Sequence, residues 1–244
     1  MFAVFKKEIN AFLNSLVGYL VICIFLVGVG LCVWVFPQTS VLDAVFADLY
    51  PFFSLSPYVF LFLIPAITMR SLAEERKNGT LELLLTHPLQ DWQIILGKYL
   101  ACLVLVIFAL LPTFLYYVSV WWLGAPQGNL DSAAVFGSYL GLALLGAAFA
   151  AIGLWTSSLT ANQIVAFMLG CFVCFIFYYG FSAISGIDTW SSWAYVVAFF
   201  GLDTHYEALG KGLIDSRHVL YLLSLILAML GLTALTMSSR KWST

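Results

Sequence analysis

The chain has 244 residues, of which 63% are hydrophobic and 9% charged, with a mean hydropathy of +1.01. A soluble domain carries roughly 25% charged residues, so this composition excludes a water-soluble globule and makes the bilayer the solvent for most side chains. A net charge of −2 gives no case for nucleic-acid binding, and the five cysteines, all inside apolar runs, imply no disulfide framework.

The first element is an amphipathic helix. Phe2, Phe5, Ile9, Phe12 and Leu16 recur at spacings of three and four, with Lys6, Asn10 and Asn14 on the opposite ridge. This pattern predicts an interfacial helix over 1–15 that enters the first span through an elbow. Lys6 and Lys7 ahead of an apolar run resemble a signal peptide, but that run is about long enough to span and ends in no small-x-small cleavage signal. It is read as a retained anchor.

Six stretches are long and apolar enough to cross ~30 Å of hydrocarbon: 16–36, 53–69, 94–123, 133–155, 164–184 and 219–237. Pro57 and Pro65 predict a kink or a late start in the second. The third is long enough to tilt or protrude. A short polar turn, 156–162, makes a hairpin of the fourth and fifth. Gly137, Gly141, Gly146 and Ala150 form a small-residue seam on the fourth span, suited to close packing inside the chain. Cys171 and Cys174 form a C-x-x-C without a second pair nearby and are read as packing residues. The stretch 190–200 is too short to span and reads as a re-entrant or interfacial helix; the polar 203–217 reads as a short outer helix and turn. Trp34, Trp121, Trp122 and Trp242 stand at span ends as interface anchors. The expected fold is therefore all-α and polytopic: one domain over 1–244, six transmembrane helices, an N-terminal elbow helix, a cytoplasmic loop at 70–93 and re-entrant outer helices within 185–218.

Orientation follows from Lys and Arg. With the N-terminus inside, Lys6, Lys7, Arg70, Arg76, Lys77, Lys98, Arg240 and Lys241 are cytoplasmic and only Lys211 and Arg217 lie outside. Both termini are expected in the cytoplasm. Lys98 being counted with the cytoplasmic charges, the spans are expected to carry no Asp, Glu, Lys, Arg or His. Ion-coupled transporters place such groups at membrane depth, so any work this chain does is expected to be powered by a cytoplasmic partner.

The loop between the second and third spans is the best candidate for that contact. Gly79 punctuates it, Thr80 can cap a helix start, Glu82 suits the positive first turn and Pro88 ends the element. The outcome is a short helix over 81–86 with Leu81, Leu84 and Leu85 on one face, too short to be stable alone. It needs a surface to dock against, membrane or protein, and a solvated connector is the bland alternative.

The string Glu74-Glu75-Arg76-x-x-Gly79-Thr80-Leu81-Glu82-Leu83-Leu84-Leu85-x-x-Pro88, followed by Ile94-Ile95-Leu96-Gly97-Lys98, resembles the signature of type-2 ABC exporter permeases. The elbow, the six spans, the short fourth-to-fifth turn and the outer re-entrant helices extend the resemblance over most of the chain. It implies that Glu74, Glu75, Arg76, Gly79, Thr80, Leu81, Glu82, Leu83, Leu84 and Leu85 couple the chain to a separate ATP-binding subunit, which holds ATP and Mg. It also implies a second permease copy, identical or not, an auxiliary membrane subunit with an extracytoplasmic domain, and a place in the bacterial cytoplasmic (inner) membrane. The stretch 201–221, with its His205-Tyr206-Glu207 and Gly212-Leu213-Ile214-Asp215-Ser216-Arg217, resembles the gliding-motility-associated permease (GldF-type); permeases of nitrous-oxide reductase maturation share similar stretches. The resemblance thus implies an exporter or mechanotransmitter linked to gliding motility or protein secretion.

No Walker A sequence is present, since Gly97-Lys98 and Gly210-Lys211 lack the upstream glycine and following Ser or Thr. No cofactor is expected in this chain. Two alternatives remain: a non-transporting structural subunit of a motility or maturation machine and, ranking last, an intramembrane hydrolase using Ser182 with His205 and His218, for which neither oxyanion donors nor a base on a facing helix is indicated.

Overall fold

The computed structural model describes residues 1–37, 39–42, 47–80, 90–186, 194–212 and 215–239, and among these the regular structure is entirely helical. Five helices are long and apolar enough to cross a membrane, or six if the bent first pair counts as one span. Apolar chains take this form because a helix satisfies its own backbone where water is absent.

The bent pair is α1 (Phe2–Leu13) and α2 (Leu16–Trp34), whose axes meet at 66°, as the elbow predicts. Gly18 permits the fold-back: a Cβ there would lie 2.6 Å from the Phe12 carbonyl oxygen and 2.8 Å from its ring. In α1 Val4 is buried against the bundle, Phe2 stays exposed, and Glu8 is half-buried on the side where Val4 packs; Leu16, at the start of α2, is exposed.

Helix α3 (Tyr50–Thr68) starts three residues before the expected 53, and Pro57 and Pro65 lie inside it without ending it. Proline at 57 has no N–H for the carbonyl of Phe53. That carbonyl accepts instead from the Tyr206 hydroxyl, 2.7 Å away. After a short turn comes α4 (Ala73–Lys77). The third span is α5 (Asp91–Leu110), a 3₁₀ turn at Leu111–Thr113 that includes Pro112, and α6 (Phe114–Leu123). Its 33 residues exceed the ~30 Å core at 1.5 Å per residue.

Helix α7 (Ser132–Leu159) is the central post, capped at its start by the Asp131 carboxylate, which accepts from the Ala133 and Ala134 amides. It runs past the expected 155. Thr156 and Ser158 are buried within it, their hydroxyls returned to the carbonyls of Gly153 and Trp155. The polar turn predicted over 156–162 is therefore only Thr160, Ala161 and Asn162. In hydrocarbon a hydroxyl without water bonds its own helix backbone, which keeps such residues helical. Asn162 then caps α8 (Gln163–Phe175), continued by a π-helical turn (Ile176–Gly180) and α9 (Phe181–Ser185).

Short helices α10 (Ala194–Phe199) and α11 (Leu202–Gly210) precede α12 (Ser216–Ser238). Helix α11 buries Leu202, His205, Tyr206 and Leu209, so the segment read as polar and outer is docked into the end of the bundle. The small-residue seam explains how closely. A Cβ on Gly137 would meet the Leu209 carbonyl at 2.5 Å, and one on Gly141 would meet Leu209 and Tyr206 at 3.2 and 3.3 Å. Further along, Gly153 faces Thr68 of α3, whose Oγ1 would lie 2.1 Å from an added Cβ. Lipid gives no hydrophobic drive for helix association, so approach of this kind supplies the packing.

Gly153→Ala is expected to cost about 1–3 kcal/mol by overpacking, read as a lower melting temperature of the detergent-solubilised chain. Adding Thr68→Ala is expected to recover part of that loss; full stability of the single variant would refute the packing account.

Candidate functional site

One end of the bundle gathers α1, α4, the start of α5 and the end of α7. Helix α4 is stitched there through one hydroxyl. Ser157 Oγ accepts from the Leu72 and Ala73 amides, both at 3.1 Å, and donates to the Met69 carbonyl at 3.1 Å. The break between α3 and α4 thus keeps its backbone paired although it is buried. Arg76 extends the stitch: its Nη1 donates to the carbonyls of Ser158 at 3.3 Å and Leu159 at 2.7 Å, a cation at the negative end of α7. Gly79 has φ +69, the left-handed conformation that lets the chain leave α4. The Thr80 hydroxyl donates back to the Glu75 carbonyl at 3.3 Å; the amides it was expected to cap lie outside the described residues. Leu81, Glu82, Leu83, Leu84 and Leu85 lie outside the described residues.

Glu75 turns inward, its side chain 10% exposed, and meets Lys98, which is fully buried. Lys98 Nζ lies 2.6 Å from Glu8 Oε1, 2.9 Å from Glu75 Oε2 and 2.6 Å from the Ser71 carbonyl oxygen. The ammonium donates to Glu8 and to the Ser71 carbonyl, and its contact with Glu75 Oε2 is an ion pair without a hydrogen bond. Lys7 pairs with the other Glu75 oxygen at 2.9 Å. Two lysines and two glutamates thus form a neutral group tying α1, α4 and α5 together. The expectation that the spans carry no ionisable residue is corrected here: Lys98 belongs to α5, within 94–123, and is part of the interior. Charge counting places it with the cytoplasmic charges, whereas it stands within the span 94–123, held by two carboxylates from other helices. Gly97 serves the same junction, since a Cβ there would stand 3.1 Å from the Met1 carbonyl and 3.3 Å from Val4. The Gly97-Lys98 pair is therefore one device: the glycine admits α1 and the lysine fastens it.

Between α1 and the α3–α4 junction lies a cleft of about 320 Å3 lined by Lys7, Glu8, Ser15, Arg70, Glu74 and Thr80 among others. Glu74 is exposed on its wall. Of the ten residues predicted to couple the chain to a partner, the structure brings Glu74, Glu75, Arg76, Gly79 and Thr80 to this one end. Sequence reasoning missed Lys98, Glu8, Ser71 and Ser157. A signal existed for Lys98: a lysine inside an apolar run demands a carboxylate, and Glu8 and Glu75 were available.

At the opposite end, Ser182 Oγ donates to Asp203. His205 Nε2 bonds the Phe199 carbonyl oxygen at 2.7 Å, which makes it the donor, and Nδ1 faces His218 Nδ1 at 2.8 Å. Tyr221 stacks on the His205 ring with centroids 3.9 Å apart. Both His205 nitrogens are thus engaged away from Ser182, and the base needed for a serine nucleophile is not assembled.

Residues 36–236 match the family described as "ABC-2 family transporter protein". The chain belongs to the ABC-2 transporter family. A stretch of 107 residues is 36% identical to the probable multidrug ABC transporter permease YbhR of Escherichia coli (strain K12), and to the same permease of Escherichia coli O157:H7. That stretch is 44% of this chain and 27% of each relative, so the match spans about a quarter of the curated relatives' length. This ABC-2 family chain is a multi-pass membrane protein. Neither relative's name carries the gliding-motility resemblance of 201–221, and in this fold Tyr206, His205 and Asp215 each have a packing or capping role.

Lys98→Met is expected to destabilise the chain by about 3–5 kcal/mol, because two carboxylates then lose their buried cation; adding Glu8→Gln and Glu75→Gln is expected to restore much of it. Chemical unfolding in detergent measures both. A second expectation concerns His205, whose pKa burial pushes below the usual imidazole value against the opposing bond to Phe199. A folded pKa below the unfolded value of about 6.5 means stability present above that value and lost as pH falls through the folded one. Protection factors of the α11 amides, taken relative to the intrinsic exchange rate at each pH, should therefore fall between pH 8 and pH 5, and His205→Phe should flatten the profile.

Proposed function

We propose that this chain is the permease subunit of an ATP-driven exporter, worked by a separate ATP-binding subunit that docks on the loop after Gly79. The reading puts the charged end of the bundle in the cytoplasm of a bacterial inner membrane, with both termini there, and pairs the chain with a second permease. The observation that supports it is the meeting of Glu75 with Lys98, the two halves of the permease signature joined in one buried group.

That junction gives a push on the loop somewhere to go. Force on 81–86 reaches α4 through the Gly79 turn. From α4 it passes by Arg76 to the end of α7, and by Glu75 to Lys98 of α5 and Lys7 of α1. Helices held by a neutral ionic group move together, because separating them would strand charges in a low-dielectric interior. The exporter reading also draws on the multidrug permease relatives. A mechanotransmitter in gliding motility or protein secretion, with an auxiliary subunit, rests on the resemblance of 201–221 alone. A structural subunit without cargo would use the same motor contact.

Leu81→Asp with Leu84→Asp is expected to abolish copurification of the ATP-binding subunit while membrane insertion stays intact. Retention of that subunit at wild-type yield, or labelling of a cysteine at Thr80 only from the extracytoplasmic face, would overturn the assignment.

A further inference from the structure

The end of the bundle opposite the lysine group holds a recess of about 480 Å3 between the first turns of α3 and α7, the π-helical turn after α8, and α11. Four tyrosines line it: Tyr50 and Tyr58 from α3, Tyr178 from the π turn and Tyr206 from α11. Tyr178 and Tyr206 are buried and form its inner wall, whereas Tyr50 and Tyr58 are 69% and 46% exposed and form its rim. Tyr58 and Tyr178 meet edge to face, ring centroids 5.7 Å apart and planes at 85°. Nothing in the loop signature or the ionic group uses these residues.

The charged groups of the recess are Asp48, Glu207 and Lys211. Asp48 already accepts from the Tyr50 amide at 3.0 Å. Glu207 has no hydrogen-bond or ion-pair partner among the described residues, and Lys211, one turn further along, stands beyond ion-pair distance. Two carboxylates against one ammonium leave the recess negative. Glu207 and Lys211 stand exposed at its mouth, so a neutral guest would gain nothing from the negative field and an anion would meet an adverse one. A metal ion would find no group of three ligating side chains among the described residues. A large organic cation differs from all three. It is weakly hydrated, so it leaves water cheaply, and tyrosine faces attract it through their quadrupoles. The volume falls in the range of small-molecule sites.

We propose that this recess binds an amphipathic organic cation, its charge held by Glu207 and the tyrosine rings and its apolar body directed into the bundle. The recess lies within one chain and needs no residue from another copy. Its role as a cargo site rests on the exporter reading, whereas occupancy is measurable on the chain without any ATPase, so the two can fail separately.

The test is calorimetric titration of the purified full chain in lipid nanodiscs with tetraphenylphosphonium, and with tetraphenylborate as the anion of matching shape. Saturable binding of the cation at one site per chain and none of the anion is expected. Glu207→Gln is expected to weaken cation binding about tenfold and Lys211→Gln to tighten it about threefold. No saturable cation binding, equal binding of both ions, or unchanged affinity in Glu207→Gln overturns the proposal. Weakening in both variants also overturns it, because a charge-selective recess responds to them in opposite senses.

Discussion

A lysine ammonium with no exposure to solvent, 2.6 Å from Glu8 and 2.9 Å from Glu75, constrains the arrangement of one end of this molecule. Taking a charge out of water costs several kcal/mol unless its partners are placed to replace the lost hydration. Here the partners come from two other elements and a turn carbonyl, so α1, α4 and α5 can each be in place only when all are. Few hydrophobic contacts in a bilayer have this property, since lipid substitutes for most of them without loss. The ionic group therefore supplies specificity where apolar packing alone would leave α1 free to lie anywhere along the interface.

The long post α7 supplies the second constraint, and by opposite means. Its glycines present backbone rather than side chains to α11 and α3, so contact is dispersion at short range. One end of the molecule is thus held by charge and the length of the post by shape. Ser157 belongs to both, a small residue in the post whose hydroxyl also closes the backbone at the start of α4.

The spans and the elbow were legible because length and periodicity are local properties. Their ends shifted by a few residues where capping decided: Asp131 extends α7 at its start, and back-bonded Thr156 and Ser158 extend it at its finish. The loop signature was legible as a pattern, but what Glu75, Arg76 and Lys98 do depends on residues eighty or more positions away for Arg76, and on Glu8 for Lys98. Periodicity cannot express such pairings. Tyr206 shows the same limit from the other side: Pro57 announces that Phe53 needs a donor, yet nothing near it in the chain says which one arrives.

That tyrosine also decides how the far end of the bundle can rearrange. Its hydroxyl is what the orphaned Phe53 oxygen is bonded to, and a buried carbonyl left without a donor costs about 1–3 kcal/mol. Helix α11 consequently cannot lift away unless α3 travels with it or the oxygen finds another hydrogen. Any opening on that side is a rigid-body excursion of the hooked pair, and the missing amide of a single proline is what latches it.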